Sequence, residues 1–164
     1  MKKLMLVLIV MIVSVGFVFA GDNCKEKKMS EEAMAVKTVI KEAYVKGMYV
    51  DRDVEAIKKG FHPDFKMQVL KEDGLSEFPL TKWVEKIKKW KEKEPEVKTE
   101  YKHKLAMLDV KGNAAVARLD VFKDGEYAFT DYMSLYKFKD GWKIVNKIYH
   151  YNPEIHKEKK KKSA

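Results

Sequence analysis

Asp131 is the side chain whose position speaks most directly of chemistry. It falls in step with Phe129, Met133 and Leu135 along Phe129 to Phe138, a run with the alternation of a strand, so its carboxyl belongs to an apolar face. Burial there raises a carboxyl pKa and suits a general base or a hydrogen-bond-donating acid. The structural alternative places Asp131 at the open end of its strand, bonded to backbone or solvent. His62, in Gly60-Phe61-His62-Pro63-Asp64, carries an imidazole that titrates near neutral pH; alternatively it closes the helix before it. His62 and Asp131 are the candidate catalytic pair.

Five further residues could bind a ligand. Tyr44 and Tyr49 could turn hydroxyls into a cavity and hold an oxyanion, or pack with their hydroxyls wet. His103 alternates with Tyr101 and Leu105 and could point inward, or sit as a satisfied core or edge histidine. Asn146 and His150 share the parity of Trp142 and Ile144, which would put an amide and an imidazole on the inner face, unless Asn146 ties strands together.

Other chemistries lack their residues. The histidines stand at 62, 103, 150 and 156 with no helical i, i+4 pair, and there is one cysteine, so no metal site is expected. The eight glycines stand singly rather than in a phosphate-cradling loop, and no Gly-x-Ser-x-Gly elbow is present. No cofactor is expected.

The elements that must position these residues are legible in the periodicity. Ser30 is a helix N-cap followed by Glu31 and Glu32, and Ala33, Val36, Ile40, Tyr44 and Met48 recur at helical spacing to about Tyr49. A short helix follows Asp53 and ends near Gly60. Phe65, Met67 and Val69 alternate as a short strand, and Glu72-Asp73-Gly74 turns the chain. A third helix, with Thr81 as its expected cap, sets Trp83, Ile87 and Trp90 on one side and ends at Pro95. From Val97 the period becomes two, with Tyr101, His103, Leu105 and Met107 on one face and Ala115, Ala117, Leu119 and Val121 continuing it. Gly112-Asn113, Asp124-Gly125 and Asp140-Gly141 are hairpin turns, the last two of type I′. Helices first and strands after indicate α+β: a curled antiparallel sheet closing as a cone on three N-terminal helices.

The ends carry an address and a charge. Met1-Lys2-Lys3, an uncharged run from Leu4 to Phe19, and Val18 and Ala20 before Gly21 have the layout of a signal peptide over residues 1–20. Residues 21–29 form a leader, 30–152 the domain and 153–164 a Lys-rich tail. Export to the periplasm or the exterior is the expectation, with no stable membrane span after cleavage. Asp22 and Asn23 fit a lipid-anchoring signal at Cys24 poorly. Of the net charge of +9, Lys2 and Lys3 would leave with the signal peptide and the tail holds +3, so the body carries +4. Lys alternates with Glu along that body without a basic face, so nucleic acid is not an expected partner.

The order of three helices and a curled meander closing in Gly141-Trp142-Lys143-Ile144-Val145-Asn146-Lys147 resembles the nuclear transport factor 2-like superfamily. Gly60-Phe61-His62-Pro63-Asp64 and Asp131-Tyr132-Met133-Ser134-Leu135-Tyr136-Lys137 are similar to its branch called putative lumazine-binding proteins. The resemblance implies a cystatin-like cone holding a small, largely apolar or planar ligand. Two alternatives stay open. One is a cofactor-independent isomerase, dehydratase or cyclase using Asp131 or His62 as base and Tyr44 or Tyr49 at an oxyanion. The other is a dimerisation or adaptor module, assembling through Tyr132, Tyr136, Phe138, Tyr149 and Tyr151 on the outer sheet face.

Overall fold

The computed structural model describes residues 29–153. The expected signal peptide, Cys24 and the Lys-rich run at 157–162 lie outside the described residues.

Ser30 accepts a hydrogen bond from the Ala33 N–H and starts α1 (Glu31–Val39). The chain does not stay α-helical to Tyr49: from Ile40 to Val50 it winds as a π-helix, widening the turn while keeping the apolar stripe inward. Asp53 caps α2 (Val54–Gly60) by accepting from the Glu55 and Ala56 N–H groups. Gly60 ends α2 hard against Ala43 of the π segment, where a methyl group would collide. The strands β1 (Phe61–Lys71) and β2 (Gly74–Pro79) then precede α3 (Leu80–Lys93). Thr81 does not cap α3; Pro79 holds that position with no side-chain bond. Arg52, in a left-handed conformation (φ 50°), closes the other end of α3 by donating to the Trp90 and Glu94 carbonyls.

The meander is β3 (Tyr101–Lys111), β4 (Ala114–Lys123), β5 (Glu126–Phe138) and β6 (Gly141–Tyr151). Asp124 and Gly125 both have positive φ, as a type I′ turn requires. The last hairpin differs from expectation. Its turn residues are Lys139 and Asp140, and positive φ appears only at Gly141, the first residue of β6.

Six strands form one sheet in the order β2-β1-β6-β5-β4-β3, and β1 joins β6 in parallel while every other pair is antiparallel. The sheet is therefore larger than the expected four-stranded meander, and mixed. Helix α1 touches both β6 and β3, three places apart in that order; a flat sheet would separate them by about 14 Å, so the sheet curls around the helix. Val36, Ile40, Tyr44, Ile57, Phe61, Phe65, Ile87, Leu119, Leu135 and Ile144 fill the space between.

Three bulges set which residues face that core. One extra residue enters β3 at Ala106, β5 at Ala128 and β6 at Val145. Each extra residue reverses the inside–outside sense of the strand beyond it. In β3 this turns Met107 out, where simple alternation put it inside, and turns Leu108 in.

Candidate functional site

The π segment brings Tyr44 and Tyr49 together. Residues five apart diverge around an α-helix, whereas i→i+5 winding stacks them, and their hydroxyls lie 2.9 Å apart with the rings edge to face. Strand β5 supplies Asp131, fully buried on the inner face as its parity predicted. Strand β6 supplies Lys147, also buried, with Nζ 2.5 Å from Asp131 Oδ1 and 2.7 Å from the Tyr44 hydroxyl, to which it donates. The Tyr44 hydroxyl donates to Asp131 Oδ2.

Proton accounting fixes the direction of this network. The single Tyr44 hydroxyl proton goes to Asp131, so the Tyr44 oxygen accepts from Lys147 and from Tyr49. Tyr49 has then spent its proton and offers only lone pairs to the groups it faces. Lys147 spends one N–H on Tyr44 and turns a second towards Asp131. The third has no acceptor among the described residues.

Burial opposes the charges in this cluster. It pushes the Asp131 carboxyl up, against the pull of Lys147 and Tyr44, and pushes the Lys147 ammonium down, against the pull of Asp131. Both tyrosines are held well above the usual phenol range by burial and by the Asp131 charge, so both stay protonated at neutral pH. The rings of Tyr44, Trp83, Tyr149 and Phe129 surround Nζ with centroids 5.0–5.4 Å away, and their negative faces partly replace lost water. His103 packs against Tyr49, ring centroids 5.2 Å apart, with Nε2 buried and without a protein partner. Burial, then the nearby Lys147 charge, depresses its pKa to about 4, so it is neutral at pH 7.

Lys147 and Tyr49 face a cleft of about 550 Å³ under α3. Trp83 and Trp90 come from α3, Met67 and Val69 from β1, Phe78 from β2, and Tyr101, Phe129, Tyr149 and Tyr151 from the meander. Lys71, Lys82, Lys86, Ser76 and Glu77 are its remaining polar lining. Asp131 and Tyr44 do not reach this surface; they lie behind Lys147 and Tyr49.

The structure therefore joins Tyr44, Tyr49, His103 and Asp131, and leaves out three other candidates. His62 stacks on Phe138 on a different part of the sheet, centroids 4.7 Å apart, with Nδ1 accepting from the Asp64 N–H. Asn146 donates to the Lys66 carbonyl and ties β6 to β1, while His150 is exposed. The bulge at Val145 is the reason for both: Trp142 and Ile144 face inward before it, and Lys147 and Tyr149 after it. The same shift moves Tyr149 and Tyr151 from the expected outer face into the cleft. Lys147 was missed because its parity is outward in an unbroken strand. The detectable signal was Lys147-Ile148-Tyr149-His150-Tyr151, where Tyr149 and Tyr151 alternate with Lys147 and only a shift would gather them inside.

Comparison with known proteins agrees with this architecture. A family described as putative lumazine-binding matches residues 31–150. The chain belongs to that family. Among solved structures, a nuclear transport factor 2-like protein of unknown function from Shewanella baltica is 26% identical with a TM-score of 0.59, over 73% of this chain and 93% of that one. Another from Silicibacter pomeroyi is 20% identical with a TM-score of 0.61, over 76% and 100%. A putative ketosteroid isomerase from Shewanella frigidimarina is 15% identical with a TM-score of 0.53, over 71% and 94%, and shares the fold. A search of curated proteins finds no match. This member of the family described as putative lumazine-binding thus has the nuclear transport factor 2-like, cystatin-like fold. Among its described residues no three His, Cys, Asp or Glu side chains gather as a metal site, and no helix is long and apolar enough to cross a membrane.

Proposed function

We propose that this protein is exported and binds a small planar molecule in the cleft under α3, setting an acceptor atom of the ligand against Lys147. The observation that carries this reading is the single uncommitted Lys147 N–H at the end of an aromatic-walled cleft. Aromatic walls favour a flat ring system, because stacked and edge contacts add to the area buried. A buried donor without an acceptor favours a ligand that supplies one. The family description, putative lumazine-binding, is in keeping with a flat heterocycle. Export rests on the charge-then-apolar-then-small order of Met1 to Ala20.

Titration with planar heterocycles, lumazine among them, tests this by quenching of Trp83 and Trp90 fluorescence and by thermal shift. Binding by the native chain and at least tenfold weaker binding by Lys147→Met are expected; no response to any flat compound overturns the reading. Secreted material whose N-terminus is Gly21 supports export, and retention of Met1 in the cytoplasm opposes it.

The acid–base alternative is less well supported. Asp131 is shielded from the cleft by the groups it bonds, and His62 stands elsewhere, so neither meets a substrate placed there. Assembly through the sheet has one supporting observation, the half-exposed Val116, Tyr132, Tyr136 and Ile148 on its outer face. Light scattering at high concentration tests it, and a monomer counts against it.

A further inference from the structure

The cleft is electrically asymmetric, and the asymmetry names the class of ligand. At its deep end the Lys147 charge is balanced by Asp131 2.5 Å away, Tyr44 and Tyr49 keep their protons, and His103 is neutral at pH 7. A carboxylate brought to Nζ there would be a second anion on one cation, in a place almost closed to water. An uncharged carbonyl or ring nitrogen meets no such cost.

The other end is cationic. Register places Met67 beside Lys147, and Met67, Val69 and Lys71 line the cleft in succession, so Lys71 stands about 13 Å further along β1. Lys82 and Lys86 line the cleft from α3. Glu77 is the carboxylate of this lining, and it is already paired with Lys66 at 2.7 Å. Lys86 lies over the Trp90 ring, and Lys71 and Lys82 have no acidic partner among the described residues.

We infer, building on the ligand-binding reading above, that the ligand is an elongated planar acid: an uncharged acceptor at one end seats on Lys147, and a carboxylate, sulfonate or phosphate at the other projects to Lys71, Lys82 and Lys86. The span of the lining suits two or three fused rings. The lysines act on specificity and the aromatic walls supply contact area, so charge and stacking separate experimentally.

Three matched probes test the polarity: 6-acetyl-2-naphthoate, 2-acetylnaphthalene and 2,6-naphthalenedicarboxylate. Each is titrated against the native chain and the exposed-site variant Lys71→Gln/Lys82→Gln by tryptophan quenching and calorimetry. The acetylnaphthoate is expected to bind about tenfold more tightly than either comparator at low salt. Its advantage over the neutral ketone should shrink to about twofold in the variant and at about 0.5 M salt, where interactions between exposed charges are screened within a few ångströms. Equal, salt-independent binding of acid and neutral ketone overturns the inference and leaves the ligand-binding reading standing. Tightest binding of the dicarboxylate overturns the assigned direction. Binding of none of the three, while lumazine or another neutral heterocycle binds, rejects the elongated acid; binding of no planar compound at all rejects the underlying reading.

Discussion

Strands β5 and β6 lie side by side, and both place a charged group in the core, yet they do so differently. In β5 the bulge comes early, at Ala128, and from Phe129 to Leu135 the alternation runs unbroken, so Asp131 faces where its neighbours say it must. In β6 the bulge falls mid-strand, at Val145, and the inner set changes from Trp142 and Ile144 to Lys147 and Tyr149. One inserted residue thereby exchanges an amide and an imidazole for an ammonium. Of the three, the ammonium carries the cationic charge that neutralises Asp131, which gives the shifted register an electrostatic reason to persist.

The comparison is broken most severely by removing one charge. Asp131→Ala strands the Lys147 ammonium in an apolar site and should cost about 3–5 kcal/mol in denaturant unfolding. Asp131→Ala/Lys147→Met removes both charges and should recover a substantial part of that loss; a double variant no better than the single would mean the pair is not the coupling between the strands.

A smaller effect comes from His103 on β3. Its pKa of about 4 lies below the 6.5 of the unfolded chain, so the folded state binds fewer protons. Its contribution is complete above pH 6.5 and is lost as pH falls from 6.5 through 4, so stability rises with pH across that window. Allowing for its partial exposure, the change is about 1–2 kcal/mol. His103→Gln should flatten this part of the stability profile, measured by melting at pH 4.5 and 7.

Gly60→Ala tests the packing of α2 on the π segment that presents both tyrosines; the added methyl group against Ala43 should cost about 1–3 kcal/mol in the same unfolding assay. The smallest effects sharpen the contrast in β6. On the outward side of the bulge, His150→Ala should change stability by about 0.5 kcal/mol or less, Asn146→Ala, which loses its bond to the Lys66 carbonyl, should cost about 1 kcal/mol, and both should leave ligand titrations unmoved. A tenfold loss of binding in either would mean that the inward set of β6 is not Lys147 and Tyr149.

Local signals carried the α+β order, the cap at Ser30, the helix start after Asp53, the Asp124-Gly125 turn and the inward parity of Asp131, because each depends on residues within a few positions of one another. Tyr44, Tyr49 and His103 were legible as candidates for the same reason. Tertiary structure decided the rest. The π winding that pairs Tyr44 with Tyr49 lets both hydroxyls join the line to Asp131. The parallel seat of β1 beside β6 builds the lysine-rimmed wall. The bulge at Val145 selects Lys147 over Asn146 because a buried carboxylate on the neighbouring strand needs a cation. A chain read residue by residue shows which side chains are available; which of them meet depends on partners far away in sequence, brought close only when the sheet curls.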